Sequence, residues 1–527
     1  MAMMKTIHWF KPLILLILVA YPAMCVVWPM PQMMSTTSTV LTINSKKFTF
    51  QSSSKSDILH QAFERYMNIS FIPLGKQIQP QLSESFNVTA SSGSLTSLKV
   101  NVHSSKEELN LDSVENYTLT VTAKGATLDA DEVWGALRGL ETFSQLVEPT
   151  ESGMFQINET KVIDFPRFKH RGMLVDTARH FLDMEVLYEH IDAMAYNKYN
   201  VFHWHIVDDE SFPYDSKVLP EVTAKGSFNP KTHVYTADDI TKIIKYCRYR
   251  GLRVIPEFDT PGHTRCWGRS KPNLLTKCYT GFLPNGKTGP INPIFPENYE
   301  FMKTLLSEVH KRFTDKYIHL GGDEVLLNCW KSNPDVRNWM VEKGLGNNIS
   351  LLESYYESRL LGIASNLGYD YIIWQSVVDN NVKVMPSTVV NVYKGGFPAE
   401  LDRVTKRNFT TILSSCWYLD IYAYGPDWKR YYSCEPFSFN GTQKQYDLII
   451  GGESCIWTEY VDDTNLISRV WPRASGTAER LWSAKNVNSI ALATPRIHDF
   501  RCKILIRRGI RAEPVTGPGF CEYEFGM

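Results

Sequence analysis

Beyond its first 25 residues this 527-residue chain has no apolar run near the roughly 20 residues that a spanning helix needs, so the mature protein is expected to be soluble. It has no excess charge of either sign. The 56 Lys and Arg balance 56 Asp and Glu, so the bulk basic footprint that holds nucleic acid or anionic membrane is missing. No cysteines fall in a CxxC pair, which argues against zinc and redox sites. Internal repeats, low-complexity tracts and long charge runs are also absent. What is present is apolar material for large cores, with 43% hydrophobic and 12% aromatic residues, and that excludes disorder as the main reading. The length allows three or four domains at about 150 residues each, but single barrels run past 250, so two unequal domains fit as well.

Residues 1–25 read as a secretory signal. Lys5 and Lys11 flank its start, Pro12 to Tyr21 is almost wholly apolar, and Ala23-Met24-Cys25 offers small residues for cleavage before Val26. The run is about half the length of a membrane anchor. Seven N-x-S/T sequons, at Asn68, Asn87, Asn116, Asn158, Asn348, Asn408 and Asn440, suit a glycoprotein of that route. Ten cysteines become nine once Cys25 is removed, so at least one thiol stays unpaired in a monomer. If Cys278 pairs with Cys329 and Cys502 with Cys521, each bridge contributes roughly 3–4 kcal/mol in the chain-entropy model.

From Phe165 onward one pattern recurs: a short apolar run rich in β-branched or aromatic residues that stops at polar or aromatic side chains, as buried parallel strands do. Eight such runs are present, at Gly172–Val175, Asn200–Val207, Leu252–Phe258, Tyr317–Leu320, Tyr369–Trp374, Thr388–Tyr393, Thr410–Trp417 and Leu448–Trp457. Amphipathic stretches at Val186–Lys198, Ala237–Arg250, Tyr299–Phe313 and Ser350–Asn366 alternate with them. The expectation is an α/β protein with a (β/α)8 TIM barrel. Only about 20 residues separate the fifth, sixth and seventh strands, which predicts a short or missing helix there. The insert after the third strand carries Cys278, and a bridge to Cys329 would pin it beside the barrel mouth. Residues 26–165 read as a smaller α+β domain, with strands at Leu98–His103 and Tyr117–Thr122 and a helix at Ala130–Leu146, and residues 166–527 as the barrel.

A barrel builds its site from the carboxyl ends of its strands. Those ends carry Asp176 and Arg179; His203, His205, Asp208 and Asp209; Asp259 and His263; Asp323 and Glu324; Trp374; Tyr393; Tyr418 and Asp420; and Trp457 and Glu459. Carboxylates supply acid and base chemistry, and flat aromatic faces stack on sugar rings. In His319-Leu320-Gly321-Gly322-Asp323-Glu324, two glycines permit a sharp turn that projects adjacent carboxyls, each raising the other's proton affinity. Singly, each feature has a plainer reading as a solvated turn, a core Trp or a loop His; the recurrence of the same classes at strand after strand weighs against it. A competing reading takes His203 and His205, with His263 and Asp323, as the metal set of a barrel hydrolase. It ranks second, because Trp204 lies in an apolar run and no third histidine or lysine follows the fourth or fifth strand.

The runs Arg171-Gly172 through His180, Tyr196-Asn197-Lys198 to Asp209, Glu257 to His263, His319 to Val325, Trp417-Tyr418-Leu419, Tyr424 to Trp428 and Trp471 to Trp482 resemble glycoside hydrolase family 20, the β-N-acetylhexosaminidases, and within it the animal lysosomal β-hexosaminidase subunits. The likeness is strong from about Asn116 to Glu524. It implies retaining, substrate-assisted release of terminal β-linked GlcNAc or GalNAc, with no metal or other cofactor. Glu324 would be the general acid and then the base, and Asp323 would orient the 2-acetamido group. Tyr418 would donate to the acetamido oxygen, and Asp208 with His263 would tune the proton of Glu324. Arg179 and Glu459 would hold sugar hydroxyls, Trp457 would stack under the ring, and Trp374 would wall the acetyl pocket.

Tyr393 stands where the mammalian subunits carry a third pocket Trp. Asp420-Ile421 is similar to the β-type edge pair, and its charge should repel sulfated or sialylated sugars. The resemblance implies a homodimer with the partner's copy of Tyr424 reaching into the site, a terminal HexNAc glycan as substrate, an activator protein where that glycan is a glycolipid, and a lysosomal or secreted destination. The N-terminal cysteine pair of the mammalian subunits is absent before Cys247. Cys247, Cys266, Cys416 and Cys434 are extra, which suggests a Cys416–Cys434 bridge. A reading from another class, a secreted glycan-binding protein without turnover, has against it that Asp323, Glu324 and Tyr418 are all present.

Overall fold

The computed structural model describes residues 27–73, 93–150 and 152–521, so the signal segment and Asn87 lie outside the described residues. The first part of the chain forms an eight-stranded mixed sheet. Its central strands are Met33–Ile43, Ser97–Val102, Tyr117–Thr122, Gly125–Ala130 and Phe155–Asp164. Helix Val133–Leu146 is buried along all 14 residues, as expected of a helix apolar on several sides. Gly135 and Gly139, one turn apart, let it approach the sheet. A Cβ on Gly135 would lie 2.2 Å from the Asn116 carbonyl oxygen, and one on Gly139 would lie 2.2 Å from Leu128.

The second part is a closed barrel of eight parallel strands: β1 (His170–Asp176), β2 (Val201–Val207), β3 (Arg253–Phe258), β4 (Tyr317–His319), β5 (Asp370–Trp374), β6 (Val389–Val392), β7 (Thr410–Leu413) and β8 (Ile449–Ile456). Ring closure runs through β8 and β1, with Gly451 opposite His170 and Ile456 opposite Val175. Each strand matches one of the eight apolar runs of the sequence. Two details differ. The β5 to β6 connection carries the expected short helix, Gln375–Asp379, but β6 and β7 are joined by a ten-residue helix, Phe397–Lys406. Strand β7 stops at Leu413, and the following residues turn aside, so that Tyr418 bridges to Cys455 on β8.

The insert after β3 is a hairpin, Leu275–Thr280 and Leu283–Ile291. Cys278 on it is bonded to Cys329, and further bridges join Cys416 to Cys434 and Cys502 to Cys521. Cys247, Cys266 and Cys455 are free and buried.

The sheet domain is locked to the base of the barrel by buried charges. Glu115 takes Arg138 Nε at 2.8 Å and Arg171 Nη2 at 2.6 Å. Arg138 also donates to the Tyr199 and Gly251 carbonyls, both at 2.9 Å. Burial alone would raise the proton affinity of Glu115, but the two guanidiniums hold it below the usual carboxylate range. Nearby, Asp164 accepts Lys198 Nζ at 2.9 Å, the Tyr117 hydroxyl at 2.6 Å and the Trp482 indole N–H at 3.0 Å. Removing one partner of such a set strands the others without water. Glu115→Ala should therefore destabilise the protein by about 3–5 kcal/mol, whereas Lys169→Ala, which breaks the exposed pair with Asp112, should cost under about 1 kcal/mol. Chemical unfolding midpoints of the two variants measure the difference.

Candidate active site

The interior of the barrel changes character along its axis. Val201, Ile255, Ile372, Val389 and Ile412 fill one layer. Toward the carboxyl ends of the strands two glutamates are buried, Glu257 on β3 and Glu453 on β8. His205 Nδ1 lies 2.6 Å, His319 Nδ1 2.9 Å and His203 Nε2 3.1 Å from Glu257, while His203 Nδ1 lies 3.0 Å from Glu453. The second nitrogen of His205 is 2.7 Å from Asp208 Oδ2. A ring with carboxylates at both nitrogens is a cation. Burial would lower the affinity of both rings for the proton, yet the carboxylates raise His203 to about 9 and His205 to about 10. The His203-Trp204-His205 run thus pairs with buried acids.

From this floor the site is built outward. The Trp374 indole N–H donates to Glu257 Oε1 at 2.8 Å, which fixes the ring. Around it lie Tyr393 at 5.4 Å between centroids and Trp457 at 6.2 Å, with Tyr418 6.4 Å from Trp457. These four rings form an aromatic box over Leu174 and Cys455. The Tyr393 hydroxyl is 2.8 Å from Ser376 Oγ, so a polar pair stands on that wall. Burial, with Cys455 and Asp323 nearby, pushes the Tyr418 phenol well above its usual range and keeps it a neutral donor.

The turn after β4 is enforced by sterics. Gly321 and Gly322 have φ of 67° and 95°. A Cβ on Gly321 would lie 1.8 Å from Asp259 Oδ1, and one on Gly322 would lie 2.3 Å from Val377. The Gly322 N–H donates to Asp259 Oδ1 at 2.8 Å. Asp323 is half-buried, and its Oδ1 has no protein partner. Glu324 is exposed and held at φ 48°, while His263 across the mouth is held at φ 55°. Such left-handed residues cost about 1 kcal/mol or more each and cluster at functional sites.

His263 Nδ1 is 3.1 Å from Asp208 Oδ1, and its Nε2 is 4.0 Å from Asp323 Oδ2. Burial opposes its protonation, but Asp208 and then Asp323 raise it to about 9. Asp259 is buried; desolvation first, then Asp323 and Glu257, push its carboxyl well above the usual range. Arg179 bonds Asp176 at 3.0 Å and Asp208 at 2.9 Å, reaches Glu210 at 3.3 Å and Glu459 at 3.8 Å, and lies 5.1 Å from the Trp457 centroid. Asp420 is at the exposed rim, where loss of hydration and then the Glu459 charge raise it to about 6.

The structure therefore gathers Arg179, Asp208, His263, Asp323, Trp374, Tyr393, Tyr418, Trp457 and Glu459 around one mouth, with Glu324 and Asp420 on its rim. It leaves Tyr424 outside. That ring is fully exposed and lines a different recess with Tyr422, Pro426 and Phe520. Sequence reasoning missed Glu257, Glu453 and His319 as the floor of the site. The available signal was a glutamate at an inward position within an otherwise apolar strand.

The model of the glycosyl hydrolase family 20 catalytic domain matches residues 168–485, and that of a beta-acetyl hexosaminidase-like domain matches residues 27–146. The chain belongs to glycoside hydrolase family 20. It is 47% identical over 508 residues to beta-hexosaminidase subunit alpha of Bos taurus, covering 94% of this chain and 95% of that protein. To beta-hexosaminidase subunit beta of Homo sapiens it is 45% identical over 512 residues, covering 94% and 90%. A solved Flavobacterium johnsoniae chitobiase of family 20 superposes with a TM-score of 0.77 at 27% identity, over 91% of this chain and 72% of that one. This family 20 protein is thus a glycosidase of the exo-β-N-acetylhexosaminidase type.

The histidine floor of the hexosaminidase sets a pH dependence of its stability. His203, His205 and His263 have folded-state affinities above the unfolded value of about 6.5. Their stabilisation is complete below that value and is lost as pH rises through about 9 to 10. Asp208 is shifted the other way, since its histidine partners outweigh burial, so its contribution is present above about 4 and is lost as pH falls. The melting temperature should fall steadily from pH 7 to 10, with a stability change on the order of a few kcal/mol. Thermal unfolding across that range measures it; a flat profile to pH 10 would contradict the cationic floor.

Proposed function

We propose that the protein removes terminal β-linked GlcNAc or GalNAc from glycans with retention of configuration, using the substrate's own acetamide as nucleophile. The observation that carries this reading is the Asp323-Glu324 pair on its diglycine turn, with one carboxyl half-buried beside a cationic His263 and the other free at the mouth. The acetamide oxygen attacks C1 as Glu324 gives its proton to the glycosidic oxygen, and the leaving group departs as an alcohol. Asp323, beside His263, accepts the acetamide N–H and balances the positive oxazolinium ring. Glu324, now a carboxylate, takes a proton from water as that water adds to C1 and reopens the ring. Positioning the acetamide inside the box of Trp374, Tyr393, Tyr418 and Trp457 is intramolecular catalysis, worth on the order of 7–11 kcal/mol when the geometry is right. Arg179 and Glu459 offer paired charges to sugar hydroxyls, and Trp457 offers its face.

We further propose a homodimer that travels the secretory pathway to the lysosome or out of the cell, with an activator protein for glycolipid substrates. Exposed Ile421, Tyr422, Tyr424 and Phe520 support a partner surface on the side of the Tyr424 loop. Sedimentation velocity should give twice the chain mass, and Tyr424→Ser should lower activity in the dimer.

With purified protein and 4-methylumbelliferyl β-GlcNAc, activity should survive EDTA and fall by two or more orders of magnitude in both Glu324→Gln and Asp323→Asn. Loss with EDTA would favour a metal hydrolase, and a folded, inactive wild type that binds GlcNAc would favour a glycan-binding protein. In the same assay the neutral sugar should be preferred over its 6-sulfated form. The preference should narrow below about pH 6, where Asp420 takes up its proton; equal efficiency at pH 7 would remove the charge argument.

A further inference from the structure

Helix Ile349–Asn366 precedes β5, and Leu352, Tyr356, Leu360 and Ala364 bury its inner face. Two acids share that face. Glu353 and Glu357 stand one turn apart, so they lie on the same side of the helix, and they are only 4% and 1% exposed. Glu353 Oε2 and Glu357 Oε1 have no hydrogen-bond partner among the described residues. A buried polar atom left in that state lowers stability, so an apolar side chain at position 357 would serve the fold better than a carboxyl does. What the carboxyl stands against is the catalytic turn.

A Cβ on Gly322 would lie 3.3 Å from Glu357 Oε1 and 3.7 Å from its Cδ, so the acid head is set against the residue that precedes Asp323. The N–H of the same glycine donates to Asp259 Oδ1 at 2.8 Å. Gly322 is thus flanked by Asp259 at its nitrogen and by Glu357 at its Cα. The charges that face Glu357 are both acidic: Glu353 on its own helix and Asp323 on the turn. Lys394, which follows β6, faces Glu353, and its Nζ is held by Asp379 at 2.6 Å. Tyr356, the neighbour of Glu357, faces Thr260 and Asp259 just after β3. Burial first, then Glu353 and Asp323, push the Glu357 carboxyl well above its usual range. That favours the neutral form, which donates as well as accepts. In a buried place such a dipole acts on a nearby carboxyl far more strongly than in water, and the next residue along the chain is Asp323, whose Oδ1 also lacks a partner among the described residues.

We propose that Glu357 is a positioning residue of the catalytic turn, whose polar head, set against Gly322, fixes Asp323 where it meets the substrate's acetamide. It touches no substrate and acts through Asp323. The inference rests on the substrate-assisted reading above, in which Asp323 works on the acetamide as that group attacks C1, so its loss belongs in kcat rather than in KM.

The test uses 4-methylumbelliferyl β-GlcNAc with Glu357→Met, which keeps the length of the side chain without its polar head, and Glu357→Gln, which keeps both. Glu357→Met should melt at or above the wild-type temperature at pH 7, yet lose roughly tenfold in kcat, the scale of one hydrogen bond, with KM within about twofold. Glu357→Gln should restore kcat to within about twofold of the wild type. In an Asp323→Asn background, Glu357→Met should cost nothing further, because two residues that act through one group are not additive. Wild-type kcat in Glu357→Met, no rescue by Gln, or the same tenfold loss in the Asp323→Asn background would each overturn the assignment. Should Glu357→Met fail to fold, Glu357→Leu takes its place in the same comparison. A folded wild type without activity would instead overturn the hydrolase reading.

Discussion

Two carboxylates are buried inside the barrel, out of reach of bulk solvent. Glu257 and Glu453 would each cost several kcal/mol in such a place if unpaired, and much of the upper barrel can be understood as their compensation. His203 spans both, His205 joins Glu257 to Asp208, and Trp374 gives its indole N–H to the same glutamate. Through these contacts a charge balance in the core becomes a set of fixed positions at the mouth. Trp374 holds its wall because Glu257 holds its nitrogen. Asp208 stays ionised because His205 stays charged, and Asp208 in turn keeps His263 and Arg179 in register.

The sheet domain contributes rigidity of a different origin. Glu115, Arg138 and Arg171 tie the buried helix Val133–Leu146 to the carbonyls at the barrel base. These contacts lie beneath the strands, on the face opposite the catalytic loops. In a barrel that division separates stability from chemistry, and here the bottom is held by charged clamps and the top by a network that also sets proton affinities.

Much of this was legible from residue order. The eight apolar runs stopped at polar residues because parallel strands are buried on both faces, and the glycines before Asp323 marked a turn that proved sterically obligatory. The carboxylates and aromatics after each run converge because strand ends share one rim. Other features were hidden for physical reasons. Met33–Ile43 alternates Ser and Thr with few core side chains, so its strand carries little hydrophobic signal. The helix Phe397–Lys406 sits in a connection short enough to suggest none. Glu257 precedes Phe258 in a run that reads as a strand tail, and only tertiary pairing with three histidines reveals its task. Tyr424 matched a motif, but its single-chain surroundings place it on the outside.

Three unpaired thiols among the described residues bear on how the molecule would fare in an oxidising compartment. Cys247, Cys266 and Cys455 are all buried, and desolvation pushes each thiol well above its usual range, so the folded protein presents almost no thiolate. Exchange needs a thiolate with access to a disulfide, and the three bridges are therefore shielded from their own chain while the fold is closed. Opening the barrel removes that shield. Each unfolding event then exposes nucleophile and target together, so that lifetime in such a compartment is governed by how rarely the core opens rather than by how strong its bridges are.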